Sequence, residues 1–195
     1  VREGDIMDKL LYHGSNGVVE TPDLHHTRTN IDFGPGFYLT TDKIMATKWA
    51  CNKETSILNS YVSDFSKLQV YEFKADDEWL DFIIMNRNED NVQFDLRYQK
   101  YDVIIGPTAD DRLSDVIEMY EQFLLNKQGT LEAVNCMNYS NQYCFRTEKA
   151  INSILFKEYK LIEKQEKEHY YTMFRTDVSE ARKRTENILR KYNGR

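Results

Sequence analysis

Two short runs near the amino end hold the side chains best placed to do chemistry. In Leu11-Tyr12-His13-Gly14-Ser15 a histidine closes a short apolar stretch and meets a glycine whose backbone a ligand can approach closely. In Asp32-Phe33-Gly34-Pro35-Gly36-Phe37-Tyr38-Leu39-Thr40-Thr41 a rigid Gly-Pro-Gly turn feeds a run led by aromatics. An imidazole hydrogen-bonds or exchanges a proton near neutrality, and aromatic faces stack on flat, electron-poor rings. Each run also has a plainer explanation, a structural histidine beside a turn glycine and an ordinary β-turn. The cysteines Cys51, Cys136 and Cys144 are odd in number and lack C-x-x-C spacing. Neither a disulfide framework nor a thiolate zinc site is expected, and no metal is assigned.

The elements that must position these residues follow from periodicity. Strands are expected at Leu10–His13, Gly36–Thr40, Leu68–Phe73, Val103–Gly106, Gln142–Arg146 and Tyr159–Ile162, several bounded by Gly, Asp or Asn. Strand alternation places Gln142, Cys144 and Arg146 on one face and Tyr143 and Phe145 on the other. Asp42 is set to cap a helix running through Ala50, which carries Trp49, and Trp79–Met85 is a short aromatic-rich helix. Leu113, Ile117, Tyr120 and Leu124 recur at helical spacing behind Asp110-Asp111. Thr147 reads as an N-cap, with Ala150, Ile151, Ile154 and Leu155 as one buried helical stripe. Asp177 and Glu180 form a capping-box-like pair ahead of Val178, Ala181, Thr185, Ile188 and Tyr192 on one face. Short helices alternating irregularly with strands predict an α+β fold rather than a doubly wound α/β one.

At 195 residues the chain closes one core. The expected division is a flexible extension over 1–7, a domain over 8–162 and a helical appendage over 163–195, with Met7 as the natural start. The tail holds nine Lys/Arg and six Asp/Glu, net +3, within a whole chain of net −6, so the body carries −9. Its apolar stripe either packs on the parent domain or receives a partner. An acidic body repels a phosphate backbone and disfavours bulk nucleic-acid binding. No apolar run reaches membrane-spanning length and the first twelve residues lack a secretion-signal core, so a cytoplasmic protein without membrane contact is expected.

Taken together, His13-Gly14-Ser15 and Phe33-Gly34-Pro35-Gly36-Phe37-Tyr38 resemble the paired signatures of the diphtheria-toxin and poly(ADP-ribose) polymerase branch of the ADP-ribosyltransferase superfamily. That resemblance implies a split, mostly antiparallel β core with flanking helices, and NAD⁺ as substrate. Its catalytic residues would be His13, Tyr38 and Gln142, and His13, Gly14, Ser15, Gly36, Tyr38 and Trp49 would line the dinucleotide site. Gly14 would meet the nicotinamide carboxamide through its backbone, Tyr38 and Trp49 would sandwich the ring, and His13 would hydrogen-bond the adenine-side ribose. Ala46 or Thr47 stands where the family often has a serine. Ser140-Asn141-Gln142-Tyr143-Cys144-Phe145-Arg146 is similar to the family's third signature strand, with Gln142 where a glutamate is usual. Glutamine keeps a hydrogen bond to the ribose 2′-hydroxyl and gives up the charge that stabilises an oxocarbenium-like sugar. Glu148 is the nearest spare carboxylate, and a helix dipole alone explains it.

Residues 8–157 also resemble an uncharacterised bacterial family placed in that superfamily, through the runs Glu78-Trp79-Leu80-Asp81-Phe82 to Asn86-Arg87 and Tyr101 to Asp111. Members are encoded beside small proteins, which implies a toxin with a small antitoxin partner. The activity implied is mono-ADP-ribosyl transfer to a macromolecular acceptor. The alternatives are an NAD⁺ glycohydrolase and a catalytically inactive NAD⁺-binding module; an RNA 2′-phosphotransferase on the same fold is disfavoured by the acidic body.

Overall fold

A two-residue period in the apolar side chains organises the molecule. Leu11, Leu39, Val103, Ile105, Tyr143 and Phe145 turn to one side of their strands, while Ile104 and Cys144 turn to the other. The computed structural model describes residues 8–25, 31–87, 96–108, 116, 118–120, 122–135 and 140–193. These form one seven-stranded sheet with flanking helices, the α+β class expected. The strands are β1 (Lys9–Ser15), β2 (Phe37–Thr40), β3 (Ile57–Ser63), β4 (Val70–Glu72), β5 (Val103–Pro107), β6 (Asn141–Phe145) and β7 (Ile154–Leu161). Their order across the sheet is β4-β5-β6-β2-β1-β3-β7. Only β4 and β5 run parallel; the other neighbours are antiparallel.

Helix α1 (Lys43–Cys51) starts where expected: the Asp42 carboxylate accepts the Met45 N–H at 3.0 Å. Helix α2 (Asp77–Arg87) is capped by Asp76, which accepts from the Trp79 N–H, and buries Trp79, Leu80, Phe82 and Ile83. Helix α3 (Lys127–Asn135) and the short α4 (Glu148–Ile151) follow, the latter capped by Thr147 as predicted. Helix α5 (Lys164–Asn193) ends the described chain. No helix among the described residues is long and apolar enough to cross a membrane.

Four expectations are corrected or displaced. Strand β3 has no counterpart in the sequence reading, because Ile57, Leu58, Tyr61 and Val62 do not alternate and the polar Asn59, Ser60 and Ser63 are buried. The stripe from Ala150 to Leu155 is not one helix: α4 stops at Ile151, the chain turns, and Ile154 opens β7, which extends to Leu161 against β3. Asp177 lies inside α5, which begins thirteen residues earlier, and its carboxylate pairs with Lys48 on α1. The helix expected behind Asp110-Asp111 lies largely outside the described residues, as do the extension 1–7 and Cys136.

The face of the sheet that carries Cys144 holds two apolar clusters. One gathers Phe33, Trp79, Phe82, Ile104 and Cys144, and the other puts Ala46, Cys51, Leu58 and Ile162 beneath α1. The boundary between them falls along β1 and β2. There the pairing is carried by Tyr12↔Thr40, whereas β1 pairs with β3 over all seven of its residues and β2 with β6 over all four. Beyond that rung, toward Ser15 and Phe37, no further ladder pair joins β1 and β2 among the described residues, so the centre of the sheet is a seam.

Candidate active site

The three strands that carry His13, Tyr38 and Gln142 are neighbours at this seam, in the order β6-β2-β1. Cross-strand partners share a face, so Tyr38 lies with Cys144 and Thr40 lies with Gln142 and Tyr12. His13 is one residue out of phase with Tyr12. Its ring contacts Phe37, 4.8 Å between centroids, and its Nδ1 lies 2.8 Å from the Tyr38 carbonyl across the seam. A carbonyl only accepts, so Nδ1 carries the proton and Nε2 is left as an acceptor. Burial, the largest influence, and the positive charge of Lys53 hold the His13 pKa below its ordinary value, against the opposing pull of the Tyr38 carbonyl. The imidazole is thus neutral near neutrality.

Tyr38 fixes the turn that precedes it. Its hydroxyl accepts the Phe33 N–H at 3.0 Å and donates to the Gly34 carbonyl at 2.6 Å. Gly34 has φ 74°, a conformation that suits glycine. Burial, then the neighbouring Cys144 sulfur and the Asp32 carboxylate, push the phenol well above its usual range, so it stays protonated. Gly36 packs against β6, where an added Cβ would meet Cys144 Sγ and the Phe145 carbonyl. The buried Cys144 thiol is itself pushed up to about 12, chiefly by desolvation.

On the other side of the seam, Gly14 is held against α1. A Cβ there would collide with the Ala46 carbonyl and approach the Ala50 nitrogen at 2.7 Å, so glycine is required by strand–helix contact, whatever a ligand asks of it. Ala46 is buried in that contact, and the Thr47 hydroxyl donates to the Lys43 carbonyl within its own helix. Ser15 is engaged in the loop after β1, donating to Gly17 and accepting from Asn59 Nδ2 at 3.0 Å. Trp49 is half-buried on α1 and belongs to none of the three apolar clusters of the described residues, unlike an ordinary core tryptophan.

Gln142 is 5% exposed, and its Nε2 donates to Asp32 Oδ2. Asp32, 4% exposed, accepts from Arg87 Nε and Nη2 through Oδ1, at 2.9 and 2.6 Å. The structure therefore joins Gln142 to Tyr38 through the turn at Asp32, and joins His13 to Tyr38 directly. Glu148, by contrast, is exposed in the first turn of α4.

Three residues of this arrangement escaped the sequence reading. Asp32 was visible only as the first residue of the turn run. Arg87 closes a run singled out for family likeness without a role. Asn59 is fully buried on β3 opposite His13, bonds the Val19 N–H, Ser15 and the Gly17 carbonyl, and so shapes the loop beyond Gly14. With β3 unrecognised, nothing in the sequence singled it out.

A family model described as a protein of unknown function (DUF3990) matches residues 9–156, a span that includes His13, Tyr38 and Gln142. No curated protein matches the chain.

Proposed function

The chain belongs to this family of unknown function, and from that premise we propose that it binds NAD⁺ at the seam and acts as a mono-ADP-ribosyltransferase. The observation that carries the reading is the convergence of the three motif strands at the point where the β1–β2 ladder ends. In this reading nicotinamide lies between Tyr38 and the half-buried Trp49, with Gly14 at its carboxamide. His13, with Nε2 free to accept, takes a ribose hydroxyl, and Gln142 takes the 2′-hydroxyl of the nicotinamide ribose. Heterolysis of the nicotinamide–ribose bond leaves the electron pair on nicotinamide and an oxocarbenium-like sugar. A nucleophile on a macromolecular acceptor then bonds to the anomeric carbon and loses its proton. Positioning supplies much of the acceleration, since the amide offers no charge of its own. The resemblance to toxins encoded beside small proteins extends the proposal to a bacterial toxin held by an antitoxin.

Calorimetry with NAD⁺ and an assay of nicotinamide release on purified protein test this. Tyr38→Ala should weaken binding by about 1–3 kcal/mol, the worth of one stacking face, roughly five- to 150-fold. An unchanged dissociation constant in both Tyr38→Ala and Trp49→Ala would remove NAD⁺ from the seam. A second reading, a binding module without turnover, is favoured by the neutral Gln142. Nicotinamide release above background separates the two, and product analysis separates transfer from hydrolysis.

A further inference from the structure

A glutamine amide is two-faced: Nε2 donates and Oε1 accepts, and a flip of the group about its last torsion exchanges them. Which face meets a ligand is decided by what the other face meets. Here the neighbour is a carboxylate, which accepts only, and which is itself ion-paired at 2.6 Å with Arg87. The Gln142 N–H group is therefore turned to Asp32, and Oε1 is turned away from it. The Asp32 backbone cannot drift, because the next two residues are tied to the Tyr38 hydroxyl through the Phe33 N–H and the Gly34 carbonyl.

We infer that Asp32, gripped by Arg87, is a positioning residue that locks the Gln142 amide so that it presents Oε1, a hydrogen-bond acceptor, to the hydroxyl of a bound ligand. The hydroxyl's identity as the 2′-OH of the nicotinamide ribose rests on the NAD⁺ reading above; the lock itself does not. Negative charge already stands beside Gln142 on the side away from the ligand. Restoring a glutamate at 142 alone would set two carboxylates at hydrogen-bonding distance, where like charges cannot both remain ionised. A glutamate at 142 would therefore suit a hydrogen-bond donor at 32, with the roles the two residues hold here exchanged.

The exchange can be run backwards. Full-length Asp32→Asn, Gln142→Glu and the double variant are compared with the parent for NAD⁺ affinity, nicotinamide release and thermal transition. Asp32→Asn frees the amide to flip and should lower the rate about 10- to 100-fold, as loss of a supporting hydrogen bond does, with the dissociation constant changed by less than about threefold. Gln142→Glu alone should be slowed comparably. The double variant restores donor against acceptor and should regain at least the parent rate. A double variant no faster than either single one, or Asp32→Asn at the parent rate, overturns the positioning role.

A second measurement needs no NAD⁺ and no mutant at Asp32. In the parent's side-chain amide spectrum, the Gln142 pair, assigned by its loss in Gln142→Ala, should show one proton shifted downfield and slow to exchange. An averaged, fast-exchanging pair overturns the lock whatever the catalytic result. A locked pair in a protein that neither binds nor cleaves NAD⁺ upholds the lock and sinks the functional reading.

Discussion

At the scale of single residues the site is defined by groups that are already committed. His13 shows this in its response to pH. Its pKa is lowered in the folded protein, so below the ordinary value of 6.5 the unfolded chain binds more protons than the folded one. Stability should therefore fall as the pH drops through 6.5 toward the folded pKa and be unaffected by His13 above it. Urea midpoints for the parent and His13→Gln across that interval check the sign: the parent should lose more stability with acid than the variant. Tyr38→Phe keeps the ring and removes the acceptor of the Phe33 N–H, which should cost about 1–3 kcal/mol by leaving that donor unmet. Gly14→Ala drives a methyl into the Ala46 carbonyl, helix backbone that cannot rotate aside, and a loss of about 1–3 kcal/mol is expected from the same denaturation curves. At this scale the sequence picks out residues whose strands the structure makes neighbours at one seam, and says less of what holds each of them there. Gly14 was read for ligand approach and is required by α1 packing; Asp32 was read as part of a turn and holds an amide.

The elements explain that difference in legibility. Strands with a strict period and marked ends, β2, β5 and β6, are found to within a residue at each end from the sequence, and so is α1, whose Asp42 cap is unambiguous. Strand β3 is hidden because it is buried on both faces and fills that burial with Asn59, Ser60 and Ser63, of which Asn59 and Ser63 are satisfied by partners far away in sequence, Ser15 and Ser153. Local pattern does not carry tertiary hydrogen bonds. Helix α5 was half seen. The stripe Val178, Ala181, Thr185, Ile188 and Tyr192 does face the domain, with Ala181 and Ile188 buried, but the helix extends well before it. Tyr170, near its start, joins the cluster beneath α1, and Ile188, near its end, joins the cluster of Phe33 and Trp79. Packing holds it more than charge does. Ile188→Ala should destabilise by about 2–5 kcal/mol, whereas Lys48→Ala, which breaks the pair with the largely exposed Asp177, should cost less than about 1 kcal/mol. Thermal unfolding of the two variants checks the ranking.

Seen as a whole, the molecule is two half-sheets, β4-β5-β6-β2 and β1-β3-β7, that meet at the rung between Tyr12 and Thr40. Each half has its own apolar cluster on the α1 side, and α5 lies across both. Stability need not be uniform across such a join, because contiguous units open with their own free energies. Amide hydrogen exchange should therefore resolve two groups of protected strand amides rather than one, and Ile188→Ala should bring forward the opening of the half that contains β2 and β6. A single common opening energy for all seven strands would contradict this. The rung has a further consequence in heat. On warming, loosening is expected to start at this junction, where a single ladder rung is supplemented by one shared cluster in which Leu11 and Tyr61 lie with Leu39 and Phe145 across the two walls of the seam. Any ligand that grips both walls would then act as an added rivet, raising the temperature of that early loosening and leaving the final melting of each half where it was.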